Sequence, residues 1–224
     1  MGKSIKFYDI LPSRRQHNLI DYFKKSPRNQ RFSVQFFVCD MYTPYVELAK
    51  VYFPNAKIII DKYHFIRQVT WAFENVRKNI QKTMPTNMRK YYKRSRKLLL
   101  KQYDKLSEID KQAVDLMLLY SDDLRFAYRL KEEFYKLCKE NKYSIQRIKL
   151  LNWIEDAESS DIKDFLKCAK TFRNWYREIL NAFKYGCTNG ATEGFNNKIK
   201  VLKRVSYGVR NFKRFRNRIL LTTT

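Results

Sequence analysis

Within Thr188-Asn-Gly-Ala-Thr-Glu-Gly-Phe-Asn-Asn197 a single carboxylate, Glu193, stands between Gly190 and Gly194 at the head of a strongly cationic stretch. From Lys198 to Arg218 there are nine Lys or Arg and no Asp or Glu. An acid in that position can complete a helix cap or answer the positive end of the helix dipole. It also suits a different chemistry, in which the carboxylate holds a divalent cation while phosphates lie along the basic helix. Two more acids are placed where chemistry is expected. Asp40 and Asp61 each end an apolar, β-like run, and ligands of open α/β sheets bind at the carboxyl ends of the strands. A fold that brings Glu193 beside Asp40 supplies hard oxygen ligands, which suit Mg²⁺ or Mn²⁺. Two such ions about 3.5–4 Å apart activate water or a 3′-hydroxyl and stabilise the leaving oxygen of a phosphodiester. The competing structural role for Asp40 and Asp61 is to cap the helices that follow them. Asp61 and His64, three apart at a helix start, form a further ligand pair on paper, although a capped helix with a partly buried His is the commoner arrangement.

The elements that must position these acids follow from periodicity. Ser4 to Leu11, Phe32 to Val38 and Ala56 to Ile60 read as short strands. Between them, His17 to Lys25 reads as a helix with Leu19, Ile20, Tyr22 and Phe23 apolar. A second helix follows Thr43-Pro44, with Thr as N-cap and Pro at the first helical position, burying Val46, Leu48, Ala49 and Tyr52. Strands alternating with helices imply a mostly parallel, layered sheet. From about Lys62 the pattern changes: Phe65, Val69, Phe73 and Val76 repeat at helical spacing, Pro85 interrupts, and no strand candidate occurs between residues 70 and 185. The expected fold class is α/β, helix-dominated, with a core formed by residues 1–66, an all-α insertion over 67–185, and a closing basic helical segment over 186–224 that carries Glu193. Trp71, Trp153 and Trp175 sit in apolar helical patterns and are expected in the core.

Composition narrows the partner. The chain has 224 residues and a formal net charge of +25, which points first to nucleic acid and second to an anionic membrane surface. No run reaches the roughly 18 apolar residues of a transmembrane helix, and no apolar segment follows Met1 as in an export signal. The four cysteines, Cys39, Cys138, Cys168 and Cys187, lack CxxC spacing and are expected as reduced thiols of a cytoplasmic protein. Two clusters carry the charge. Arg89-Lys-Tyr-Tyr-Lys-Arg-Ser-Arg-Lys97 holds six cations around two tyrosines, so Arg89, Lys90, Lys93 and Arg94 are candidate phosphate contacts. Lys198, Lys200, Lys203 and Arg204 are the candidates in the second cluster, with Phe195, Ile199, Leu202, Phe212, Phe215 and Ile219 expected to face the core. Contacts of this kind give affinity without sequence information.

Asp9-Ile-Leu-Pro-Ser-Arg-Arg15, Val38-Cys-Asp-Met-Tyr-Thr-Pro-Tyr45, Phe53-Pro-Asn-Ala-Lys-Ile-Ile-Ile-Asp-Lys-Tyr-His-Phe65 and the Glu193 segment, in that order, resemble the transposases of the ISL3 family of bacterial insertion sequences. The resemblance implies an incomplete RNase H-like core that uses a DDE carboxylate triad with Mg²⁺ and is interrupted by a large all-α insertion. By the same likeness Asp40 takes the place of the second acid and Glu193 that of the third, both as catalytic metal ligands. The first acid belongs on a strand upstream of Ser4, so the chain reads as the C-terminal part of a transposase, from a truncated copy. The expected partners are double-stranded DNA, both insertion-sequence ends and target, and a second copy of the chain in a homo-oligomer; the expected location is the bacterial cytoplasm, on the nucleoid. The rival reading is a non-catalytic DNA-binding remnant that holds DNA or pairs with an intact transposase. RNA binding is a third.

Overall fold

The structure is a computed structural model that describes residues 8–94 and 96–223. It divides into two compact units, residues 1–61 with 187–224, and residues 62–186.

The first unit opens with helices α1 (Gln16–Lys24) and α2 (Arg28–Phe32), then strand β1 (Phe36–Cys39), helix α3 (Thr43–Tyr52) and strand β2 (Lys57–Ile60). The strands form a parallel pair in which Phe36 faces Lys57 and Cys39 faces Ile60. Aromatic and β-branched residues in Phe-Phe-Val-Cys and Lys-Ile-Ile-Ile suit a pleated, half-buried surface, and Ile59 and Ile60 are fully buried. Parallel strands need a crossover connection, which α3 supplies. Its buried face is Val46, Leu48 and Ala49, while Tyr52 is half-buried. Phe53 closes the small core, with ring centroids 5.0 Å from Phe23 and 5.4 Å from Phe37.

Several expectations are corrected here. Of the expected strand Ser4–Leu11, residues 4–7 lie outside the described residues and Tyr8–Leu11 is not in a strand. The second run begins its strand only at Phe36, because Arg28–Phe32 closes a helical turn in which the Arg28 guanidinium lies 4.8 Å from the Phe32 ring. The cap of α3 is Tyr42, without a side-chain cap bond, and Thr43 is already helical.

The second unit is all helical among the described residues: α4 (Lys62–Thr83), α5 (Thr86–Arg94), α6 (Arg96–Leu100), α7 (Glu108–Leu118), α8 (Asp122–Lys139), α9 (Tyr143–Glu158), α10 (Lys163–Asn174) and α11 (Tyr176–Tyr185). Pro85 separates α4 from α5, as its missing N–H and ring predict. Ser107 and Ser121 cap α7 and α8 by accepting from Asp110 N–H and Leu124 N–H. Phe65, Phe134, Trp153 and Phe172 meet in one aromatic core, with Phe134 4.9 Å from Trp153 and Trp153 5.2 Å from Phe172. The buried Trp153 indole N–H donates to Leu130 O at 2.8 Å. Trp175 is half-buried, and Trp71 is not in the core: it is 50% exposed with Arg67 stacked on its ring at 4.4 Å.

The first unit resumes with α12 (Gly190–Val205) and α13 (Phe212–Thr223). The closing segment is thus two helices rather than one, broken where Tyr207 and Gly208 adopt positive φ. Of its apolar residues only Ile219 is fully buried; Phe195, Ile199, Leu202, Phe212 and Phe215 are half-buried, and α12 buries no residue completely.

Candidate catalytic edge and basic surfaces

The ladder between β1 and β2 runs one bond past its last residue pair, with Asp61 N–H donating to Cys39 O at 3.1 Å. That bond puts Asp40 and Asp61 side by side in register, both just beyond the carboxyl ends of parallel strands. Asp40 is half-buried, and its carbonyl accepts the Tyr42 N–H at 2.7 Å in the turn that leads to α3. Asp61 is buried, 4% exposed.

Asp61 also carries the link to the last segment. Its Oδ2 accepts the Asn189 N–H at 2.6 Å, across 128 residues of sequence. Asn189 is the residue before α12, and its carbonyl accepts the Glu193 N–H at 3.0 Å, so Glu193 lies one helical turn from the point that Asp61 holds. Beside it the Thr188 hydroxyl accepts the Gly190 N–H at 2.9 Å, and a Cβ on Gly190 would come within 3.2 Å of that oxygen. Glu193 is half-buried in the first turn of α12, where the helix dipole favours an acid. Asp61 therefore does more than close a strand: it fastens the N-terminus of α12 to the sheet edge. Residue types alone placed it as a helix cap, and no local signal reports a bond of that span.

Hard carboxylate oxygens are the donor type that Mg²⁺ and Mn²⁺ take, so Asp40 and Glu193 fit in kind. They do not amount to a cage. Among the described residues no three His, Cys, Asp or Glu side chains converge so as to hold a metal ion. His64 lies in the first turn of α4, half-buried, its ring 5.7 Å from that of Tyr63.

The basic residues expected to meet phosphate fall on two surfaces, one in each unit. On α12 Lys198, Lys200, Lys203 and Arg204 are all exposed. On α5 Arg89, Lys90 and Lys93 are exposed and line a groove of about 880 Å³ with Lys78 and Lys82 of α4. The side chain of Arg94 lies outside the described residues. Beneath this groove Glu74 is buried and bonds two guanidinium groups, Arg77 Nε at 2.6 Å and Arg96 Nε at 2.5 Å. Burial pushes the Glu74 carboxyl up, but the Arg77 and Arg96 bonds outweigh it and hold it below the usual range. Glu74 thus pairs with Arg77 and Arg96 at once, offsetting one of their two charges, and leaves Lys78, Lys82, Arg89, Lys90 and Lys93 without an ion-pair partner among the described residues. Lys78 and Lys82, four apart on α4, escaped sequence reasoning because they sit outside any dense charge run.

Comparison with known proteins decides the family. The chain matches the transposase family of the ISL3 type over residues 3–219. It belongs to that family. The transposase for insertion sequence element IS1001 of Bordetella parapertussis is 26% identical over 211 residues, covering 92% of this chain and 52% of that protein. A Lactococcus lactis subsp. lactis protein named ATP-dependent protease is 36% identical over 116 residues, 52% of this chain and 35% of its own length. The chain therefore spans about half the length of the first of these curated relatives and about a third of the second. No solved structure matches. Within a transposase family, the strand-end acids, the α12 terminus and the two basic surfaces are the features with a functional reading to test. No helix among the described residues is long and apolar enough to cross a membrane.

Proposed function

We propose that this chain contributes to DNA transposition by metal-dependent cutting and joining of insertion-sequence ends, on an RNase H-like core of which β1, α3 and β2 form part. Asp40 and Glu193 are the metal ligands in this reading, and the metal, Mg²⁺ or Mn²⁺, supplies Lewis-acid activation of a phosphodiester and its attacking oxygen. Lys198, Lys200, Lys203 and Arg204 lie along the α12 surface for DNA phosphates, and Arg89, Lys90, Lys93 and Arg94 serve the same purpose on the other unit. Asp61 is a positioning residue: its bond to Asn189 fixes the helix terminus that presents Glu193. The observation that supports the reading is the Asp61–Asn189 bond, which ties the α12 terminus to the strand end beside Asp40, in a chain that belongs to a transposase family.

The test has two readouts. Mn²⁺-dependent nicking of DNA that contains the element's ends is expected from the intact chain and is expected to vanish in Asp40→Asn and Glu193→Gln. Independently of activity, Mn²⁺ is expected to raise the thermal unfolding temperature of the intact chain and to leave both variants unmoved. Nicking by the double variant at the intact chain's rate sinks the assignment of these acids. A second reading, a DNA-binding partner that does not cut by itself, draws support from the lack of a third converging metal-binding side chain among the described residues. Salt-sensitive DNA binding with neither nicking nor a Mn²⁺ shift selects it.

A further inference from the structure

Between α12 and α13 the chain folds around a pocket of about 500 Å³ that none of the readings above uses. Its wall is Ser206 to Asn211 with Arg214, Phe215 and Arg218 of α13, and it contains three arginines and no acid. Arg214 and Arg218 are one helical turn apart, a spacing at which like charges repel and weaken a helix. Arg216, between them in sequence, is the one that finds a carboxylate: its Nε lies 2.7 Å from Asp9 Oδ1. Among the described residues Arg210, Arg214 and Arg218 have no ion pair. Arg218 is instead aimed at the loop, donating from Nη1 to the Ser206 hydroxyl at 3.1 Å. Helix α13 thus carries its neutralised arginine outside the pocket wall and its unneutralised ones on it. The arrangement asks for an anion with several separated charges.

The loop supplies a second observation. Tyr207 is 99% exposed and sits at φ +47, a conformation that a bulky residue rarely adopts. It packs against nothing that would account for an aromatic ring there. A ring with a hydroxyl, held out beside three guanidinium groups, suits contact with the phosphates and sugars of a nucleic-acid backbone.

We propose that this pocket is a phosphodiester clamp for duplex DNA, in which Arg210, Arg214 and Arg218 grip neighbouring phosphates and Tyr207 lies against the adjacent sugar and base edge. Arginine forks match phosphate oxygens two at a time. The clamp rests on the transposition reading for its choice of DNA over other polyanions, and it assigns contacts that the α12 and α5 lysines do not make.

Fluorescence anisotropy of a labelled, random-sequence duplex across a salt titration tests it on the intact chain. Each lost phosphate contact lowers the slope of log K against log salt by about 0.9. The triple variant Arg210→Ala, Arg214→Ala, Arg218→Ala is therefore expected to bind with a slope smaller by roughly 2–3. Tyr207→Asn, which tolerates the left-handed backbone, is expected to unfold at the same temperature or above while binding the duplex more weakly. An unchanged slope in the triple variant, alongside a reduced slope in Lys198→Ala, Lys200→Ala, overturns the clamp and leaves DNA binding by α12 intact. Loss of affinity for structured RNA only assigns the pocket to RNA and likewise overturns it. Absence of duplex binding by the unaltered chain overturns the clamp and the transposition reading together. Circular dichroism of the triple variant guards against trivial unfolding, and Arg214→Lys, Arg218→Lys, which keeps the charge, is expected to retain the slope while losing affinity.

Discussion

Replacing Asp61 by Ala removes the hydrogen bond that ties the strand edge to the start of α12. The carboxylate is buried and its Oδ2 takes the Asn189 N–H at 2.6 Å. A bond to a charged acceptor contributes about 1.5–3 kcal/mol. Asn189 is only half-buried, so water can partly replace the lost acceptor, and a net loss near the low end, about 2 kcal/mol, is expected. That loss corresponds to roughly a 30-fold rise in the local opening constant, at tenfold per 1.4 kcal/mol. Asp61→Asn keeps a carbonyl acceptor without the charge and is expected to lose about half as much. Amide hydrogen exchange resolves the effect: protection of Glu193 and its neighbours in the first turn of α12 is expected to fall by that factor, while amides in the core of residues 62–186 keep theirs. If α12 protection in Asp61→Ala is unchanged, the bond does not fasten the helix. A fall that is equal in both units would mean that the substitution destabilises globally and says nothing of positioning. In the nicking assay the same variant is expected to lose rate without losing DNA affinity, as befits a residue that acts through Glu193 rather than on phosphate.

Other outcomes follow from groups elsewhere in the chain. Asp9 has its carboxyl held below the usual range, first by the Arg216 hydrogen bond and further by the Ile10 N–H and the Tyr22 hydroxyl. A depressed carboxyl pKa stabilises above its unfolded value, near 3.9, and that stability is lost as pH falls through the folded value; α13 is therefore expected to lose exchange protection below about pH 4, and Asp9→Asn to lose that acid dependence along with about 1 kcal/mol at neutral pH. Glu74→Ala leaves the buried Arg77 without its carboxylate and is expected to cost about 3–5 kcal/mol in urea unfolding of the helical unit, far more than breaking an exposed, solvent-screened pair such as Lys139–Asp104. Burial pushes the Cys168 thiol up to about 12, so iodoacetamide at pH 8 is expected to leave Cys168 unmodified until the helical unit unfolds, with mass spectrometry of the digested chain as the check.

The β1–α3–β2 unit was readable because its signals are local: two aromatic or β-branched runs and a Pro at the start of the helix between them. The buried stripe of α4 was readable too, as Phe65, Val69, Phe73 and Val76. Trp71 lay open to the same arithmetic. It is two residues from both Val69 and Phe73, about 200° around the helix at 3.6 residues per turn, so the stripe that is buried excludes it. It counts with the apolar helical pattern, and its phase puts it outside. The helix at Arg28–Phe32 defeated periodicity for another reason: a single turn has no period to read, and Phe32 to Val38 has strand composition throughout.

The candidate site divides along the same line. Glu193 was visible because charge composition is local, and a lone acid before nine cations stands out without any fold. Asp40 and Asp61 were visible as strand ends. What ties them to α12 was not, because a buried carboxylate and a backbone N–H separated by 128 residues leave no trace in spacing. The same holds for the three arginines around Ser206 to Asn211. In sequence they are part of a uniform basic run; only once Asp9 takes Arg216 does the run split into a neutralised residue and an unneutralised wall. Under the proposed function the charge runs call for a polyanion, and the acids that pair within this strongly basic chain mark which cations it would meet. Glu74 under the α5 groove and Asp9 beside α13 each draw arginines away from a surface and so define the cations that remain for phosphate. If that logic holds, Asp9→Ala frees Arg216 for phosphate and increases the salt slope of DNA binding by up to about 1, an effect opposite in sign to the loss expected from any cation of the clamp.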